Sequence, residues 1–173
     1  SDQRLVSTTE WQCHSQHLLN KFFIGHQYNG ATVVISRNAV GFGHQNIIRF
    51  CNRPFESVEQ MNSELIRRWN EKIQKGDDVY HLGDFALCSN EVFSEIREQL
   101  NGNIHLIAGN HEATALNNRK KFVWMKEYYE LKVKDEDSPN GVQRIVLFHY
   151  AMRTWRGASR GTWHLYGHSH NTL

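Results

Sequence analysis

A chain of 173 residues is long enough to bury a core of its own without metal or disulfide staples, so its size leaves the function open. With 20 basic and 18 acidic residues the formal net charge is +2, which argues neither for a polyanion-coating protein nor for a membrane-surface one. Cys13, Cys51 and Cys88 form an odd set without CxxC spacing, which excludes a disulfide framework and a thiolate zinc knuckle and points to a reducing compartment. No apolar run approaches the roughly 18 residues of a membrane span, and the polar opening SDQRLVSTTE lacks the regions of a signal peptide. The expectation is a soluble, cytoplasmic protein.

In chain order, WQCHSQHLLNKFFIGHQYNG mixes aromatic and polar residues without a clean period, and only a short helix over 10–22 is read there. ATVVIS, residues 31–36, is β-branched and apolar and reads as a buried strand followed by a GFGHQ loop. Ser57 to Gln60 has capping-box spacing, and Val58, Met61, Leu65, Trp69 and Ile73 recur at helical intervals until Gly76. Its Arg67, Arg68, Glu71 and Lys72 belong to a charged outer face, as on a covering helix. A short strand, Val79 to Leu82, breaks at Gly83. SNEVFSEIREQLNG supplies a second helix with Val92, Phe93, Ile96 and Leu100 on one face and Gly102 at its end. IHLIAG is another strand. KFVWMKEYYELKVKDEDSPNGVQRIVLFHY reads as two strands around a polar turn, the second from Val142 to Phe148, and RGTWHLYGHSH holds the last strand. Both prolines, Pro54 and Pro139, fall in loops. Helices alternating with short strands give a layered α/β architecture, read as one domain over 1–173.

The chain carries 11 histidines, and the informative ones lie where strands end. Gly83-Asp84, Gly109-Asn110-His111-Glu112, His149 and Gly167-His168-Ser169-His170 each follow an apolar run: VYHL, IHLIA, RIVLF and HLY. Ligands and metals gather at the carboxyl ends of strands in α/β sheets, where side chains converge on a rigid frame. A lone GD or FHY is usually a turn or a packed histidine. In an extended GHSH, His168 and His170 point to one side and can address one metal centre. Carboxylate, amide carbonyl and imidazole together suit Mn, Fe, Zn, Ni or Co better than Ca or Mg.

In that order, GD, GNHE, a lone His and GHSH, the sequence resembles the calcineurin-like metallophosphoesterases. FGHQNIIRFCNRPF and FHYAMRTWRGASRGTWHLYGHSH are similar to a small bacterial and phage branch of that family, and the likeness covers residues 42–173. The resemblance implies a four-layer αββα sandwich and a binuclear centre of two divalent first-row ions. It implies that Asp84 bridges the ions, that Asn110, His149 and His168 complete one, and that His170 binds the other. His111 is then the catalytic residue, giving a proton to the leaving oxygen or steadying charge on phosphate, with Glu112 orienting it. Two cations roughly 3.5–4 Å apart would clamp the phosphate and activate a water, so no covalent nucleophile is needed. The expected reaction is hydrolysis of a phosphomonoester or phosphodiester, with nucleic acid entering only as a substrate.

The family's first motif, Asp-x-His before FGH, is absent: the text is SRNAVGFGH, and no aspartate lies between Asp2 and Asp77. Three explanations compete: Asn38 or His44 substitutes, one ion alone is held, or residues 1–41 are not the family's usual leader. One ion alone gives the alternative function, a non-catalytic single-metal binding or scaffold protein. His44 is either a solvated loop histidine or a substrate-phosphate contact. His81, His105 and His164 alternate along strands and read as packed core histidines. Arg153, Trp155, Arg156 and Arg160 read either as a substrate rim or as solvated loop residues. The strand or two that follow GHxH in the family are missing, so the sheet edge needs cover from the N-terminal segment or a second subunit.

Overall fold

The structure is a computed structural model that describes residues 41–50, 52–138 and 140–168 in full and the backbone of 23–28 and 31–36. The helix read over 10–22, Asn38 and His170 lie outside the described residues. Strands β1 (Phe23–Tyr28) and β2 (Ala31–Ser36) form an antiparallel hairpin, and β2 is the strand read from ATVVIS. Three parallel strands then add to β2 in chain order: β3 (Asp78–His81), β4 (Asn103–Ile107) and β5 (Trp124–Lys126). A second, three-stranded sheet contains β6 (Tyr128–Lys134), β7 (Val142–Phe148) and β8 (Trp163–Leu165), with β6 antiparallel and β8 parallel to β7.

Among the described residues four α-helices accompany the first sheet: α1 (Gln45–Phe50), α2 (Val58–Lys72), α3 (Asn90–Gln99) and α4 (Ala113–Asn117). The start of α2 follows from its capping residues: Ser57 Oγ accepts from the Gln60 N–H at 3.2 Å, and Gln60 Oε1 accepts from the Glu56 N–H at 2.8 Å. The Gln60 amide thus serves the N–H one residue ahead of the one a standard capping box would serve. Met61 and Trp69 are buried beneath this helix. On its outer face Arg67 pairs with Glu64 and Glu71, as the charge pattern predicts. In α3 the Ser89 hydroxyl accepts from the Val92 N–H, and Phe93 and Ile96 are buried.

Period-2 alternation along β3 and β4 divides their side chains between two cores. Val79, Ile104 and Leu106 pack with Trp69, Phe85, Phe93 and Phe122 beneath the helices. Tyr80, Leu82 and Ile107 pack with Leu131, Ile145, Leu147 and Leu165 between the sheets. At roughly 1.5–3 kcal/mol for each fully buried large apolar side chain, these two clusters dominate the favourable side of folding. His81 is fully buried among Trp69 and Phe85, as expected of a core histidine, but neither ring nitrogen has a hydrogen-bond partner among the described residues. His105 stacks on Tyr80 with centroids 4.6 Å apart, and its Nε2 lies 3.2 Å from Asp78 Oδ1.

WMKEYYELKV reads as one strand, but the chain changes sheets inside it. Lys126 ends β5, Tyr128 opens β6, and Glu127 alone joins the sheets. Both strands contribute to the same inter-sheet core through Trp124 and Tyr129, which are five residues apart, so the phase of the alternation shifts by one across the switch. Helices on one face of two stacked sheets accord with the expected architecture. Among the described residues the outer face of the second sheet meets the 150–162 loop, with a 3-10 turn at Ala158–Arg160, and no α-helix forms the fourth layer there.

Candidate metal centre

The loops after β3 and β4 and the end of β7 come together at one end of the sandwich. His149, wholly buried, directs Nδ1 at the Leu82 carbonyl, 2.7 Å away. That acceptor fixes the tautomer: Nδ1–H donates, and the neutral ring presents the Nε2 lone pair on its other side. Around Nε2 lie Asn110 Oδ1 at 3.0 Å, His168 Nδ1 at 3.2 Å and Asp84 Oδ2 at 3.5 Å. Asp84, His149 and His168 each offer a ligand atom, and these atoms all lie within 4.8 Å of one another.

These separations fit a shared cation. With bonds of about 2.1 Å to an ion, neighbouring donors of a tetrahedral or octahedral shell stand about 3.0–3.4 Å apart, which matches the three distances from His149 Nε2. A single proton can satisfy one pair of facing lone pairs, whereas one divalent ion satisfies all four donors. Imidazole nitrogen with carboxylate and amide oxygen suits the first-row ions expected from the sequence.

The backbone holds these donors in place. Asp84 has a positive φ of 53°, unusual for an aspartate, and its Oδ1 accepts the His111 N–H at 2.9 Å, leaving Oδ2 for the cluster. Gly83, at φ 92°, has no room for a side chain: a Cβ there would fall 2.1 Å from His149 Nδ1. A Cβ on Gly109 would meet Asp84 Oδ1 at 2.4 Å. Both glycines therefore allow the polar groups to approach the backbone closely. The last donor is placed by the N–H groups of Gly167 and His168, which both donate to the His149 carbonyl at 3.0 Å.

Glu112 does not orient the His111 ring, as the resemblance implied. Its buried Oε1 instead accepts from the N–H groups of Phe85 and Gly109, both at 3.3 Å, and so ties the post-β3 loop to the post-β4 loop. Burial pushes its carboxyl up to about 7, against the lowering effect of those two N–H groups. His111 is exposed, joined to the cluster through its backbone N–H to Asp84. Tyr150, which the sequence reading left out, flanks both imidazoles, with its ring centroid 4.8 Å from those of His149 and His168. Its adjacency to His149 in FHY was the available signal.

His44 is not one of the three converging His and carboxylate ligands. Its segment runs beside the Asp84 loop through Phe42 N–H to Phe85 O and Leu87 N–H to Phe42 O. His164 packs beneath the 150–152 segment, where its Nε2 meets the Met152 N–H at 3.1 Å. Arg156 and Arg160 line a separate cleft on the second sheet, and none of the four clustered donors lines it.

The family model for the calcineurin-like phosphoesterase superfamily domain matches residues 61–173. The chain belongs to that superfamily. Membership implies divalent metal ions, and the described residues of this calcineurin-like domain form one possible site, Asp84, His149 and His168. Over 73 residues, 41% of the chain, it is 49% identical to an uncharacterized protein of Methanocaldococcus jannaschii, and the match spans 42% of that protein's length. A crystal structure of a protein of unknown function from Aquifex aeolicus has the same fold, with a TM-score of 0.52 and 23% identity over 75% of this chain and 67% of that one. Among the described residues no helix is long and apolar enough to cross a membrane.

Proposed function

We propose that this calcineurin-like domain is a metal-dependent phosphoesterase that hydrolyses a phosphomonoester or phosphodiester at the end of the sandwich where Asp84, Asn110, His149 and His168 meet. The observation that carries the reading is the convergence of four lone-pair donors from four separate strand ends, with the Asn110, His168 and Asp84 atoms 3.0, 3.2 and 3.5 Å from His149 Nε2. When bound, divalent ions supply Lewis acidity toward phosphate oxygens and activation of water. The chain's own residues do the rest. His149 is locked by Leu82 into the tautomer that offers Nε2. Asp84 keeps one oxygen for the cluster because the His111 N–H occupies the other. In this reading the imidazole of His111, an exposed residue whose backbone N–H meets Asp84, gives a proton to the departing alkoxide.

The residue roles carry over as proposed from the sequence: Asp84, Asn110, His149, His168 and His170 as metal ligands, His111 as the catalytic acid and His44 as a substrate contact. A second reading, a one-ion binding protein without hydrolysis, is favoured by one observation: among the described residues the His and carboxylate ligands form a single cluster. Elemental analysis alongside turnover of bis-p-nitrophenyl phosphate and p-nitrophenyl phosphate in Mn²⁺ separates the readings. The phosphoesterase predicts two ions per chain and Mn²⁺-stimulated release of nitrophenol. For His111→Ala it predicts a turnover loss of about 10²–10⁴ with metal content retained. One ion and no hydrolysis of either ester would establish the second reading instead.

A further inference from the structure

Away from the strand ends, a cleft of about 310 Å³ opens between the outer face of the second sheet and the loop that follows His149. Lys132, Arg144, Arg156 and Arg160 bring four cationic side chains to it against the one carboxylate of Glu130. That carboxylate pairs with Arg156, at 3.4 Å, and accepts from the Tyr128 hydroxyl at 3.0 Å. Lys132, Arg144 and Arg160 have no carboxylate partner among the described residues.

Lys132 and Arg144 are direct cross-strand partners in the β6–β7 register, both exposed on the same face. Like charges in that position repel and destabilise the pairing unless an anion lies between them. The loop that brings Arg156 and Arg160 over this pair is held in shape. Trp155 Nε1 donates to the Thr162 carbonyl at 2.7 Å, the Thr162 N–H donates to Gly157 O at 3.1 Å, and Gln143 Nε2 donates to Gly161 O at 3.0 Å. Thr162 is only 8% exposed, lines the cleft, and has no hydrogen-bond partner for its hydroxyl among the described residues. A hydroxyl that no protein group engages among the described residues, at the foot of a concave patch of net positive charge, is available to donate to an acceptor oxygen.

We propose that this cleft binds a diphosphate group, free or carried on a larger molecule. Four cations against one carboxylate match an anion of about three charges, and guanidinium forks suit phosphate oxygens. The volume lies at the lower end of the range for small-ligand pockets. Among the described residues no aromatic ring lines the cleft, so recognition falls on the phosphates.

The test is calorimetric titration of inorganic pyrophosphate into the full chain carrying Asp84→Asn, in chelator-treated buffer, so that the candidate metal centre contributes nothing. The expected result is saturable binding at the affinity of the unsubstituted chain, weakened at least tenfold when Arg144→Gln or Arg160→Gln is added. Lys132→Gln, at an exposed strand position, gives the same loss and guards against a folding effect at the arginines. ADP separates the two sources: affinity equal to that of pyrophosphate assigns the cleft to a carried diphosphate, and binding at least tenfold weaker restricts it to the free anion. Absence of saturation up to about 1 mM, or binding that survives both arginine substitutions but disappears with Asp84→Asn, overturns the proposal.

Discussion

Gly83→Ala tests how tightly the candidate centre is built. The new Cβ would lie 2.1 Å from His149 Nδ1, 2.8 Å from its Cε1 and 2.9 Å from the Gly109 Cα. The first of these is more than about 1 Å short of van der Waals separation. The His149 ring is wholly buried and has no free space for retreat, so relief requires breaking its 2.7 Å bond to the Leu82 carbonyl. Loss of that buried bond costs about 1–3 kcal/mol. Holding alanine at a φ of 92° costs about another 1–3 kcal/mol. Together they remove about 2–6 kcal/mol from a fold whose total stability is about 5–15 kcal/mol. Because the same ring offers Nε2 to the cluster, ion affinity falls about 10–100-fold as well. Urea unfolding with and without Mn²⁺ measures both effects. Gly76→Ala, with nothing within 4 Å of its new Cβ, is the control and stays within about 0.5 kcal/mol. A Gly83→Ala chain as stable as the control, with ion affinity within twofold of the parent, would refute the packing argument.

Substitutions at two further positions probe buried ionisable groups. Burial lowers the His81 imidazole from 6.5 to about 3, so its folded pKa is depressed. Its contribution is complete above pH 6.5 and is lost as pH falls toward 3, at up to about 1.4 kcal/mol per pH unit. His81→Leu therefore flattens the acid side of the stability profile, and an unchanged slope between pH 6.5 and 4 by urea midpoints would show that the ring is not held neutral. Glu112→Gln keeps an acceptor for the Phe85 and Gly109 N–H groups and leaves stability near that of the parent. Glu112→Ala leaves both without a partner and costs about 1–3 kcal/mol in the same assay.

The sequence reading located the donors because each follows an apolar run and a change of residue chemistry, and the fold does bring Asp84, Asn110, His149 and His168 together. The α2 start was legible from Ser57 and Gln60, since a cap is a local hydrogen bond. What escaped was tertiary. The passage at Glu127 shifts the phase of the alternation by one between Trp124 and Tyr129, and the change of pairing partner that goes with it is not recorded in any local pattern. Glu112 next to His111 invites a local pairing, but its carboxyl is used across 27 residues by the Phe85 N–H. The roles of Gly83 and Gly109 depend on His149 and Asp84 approaching from other segments, so in the sequence they look like ordinary strand terminators.

The narrow joint between the sheets gives the donor cluster a mechanical meaning. Asp84 and Asn110 follow strands of the first sheet, whereas His149 follows a strand of the second. An ion shared by these groups would act as a clasp across the sandwich and would bind only when the two sheets are docked. Its affinity would then add directly to cohesion between them, growing with the logarithm of ion concentration above Kd. In hydrogen exchange, a chelator should accordingly loosen the carboxyl end of β7, the central strand of its sheet, against β3 and β4 before it affects the helices.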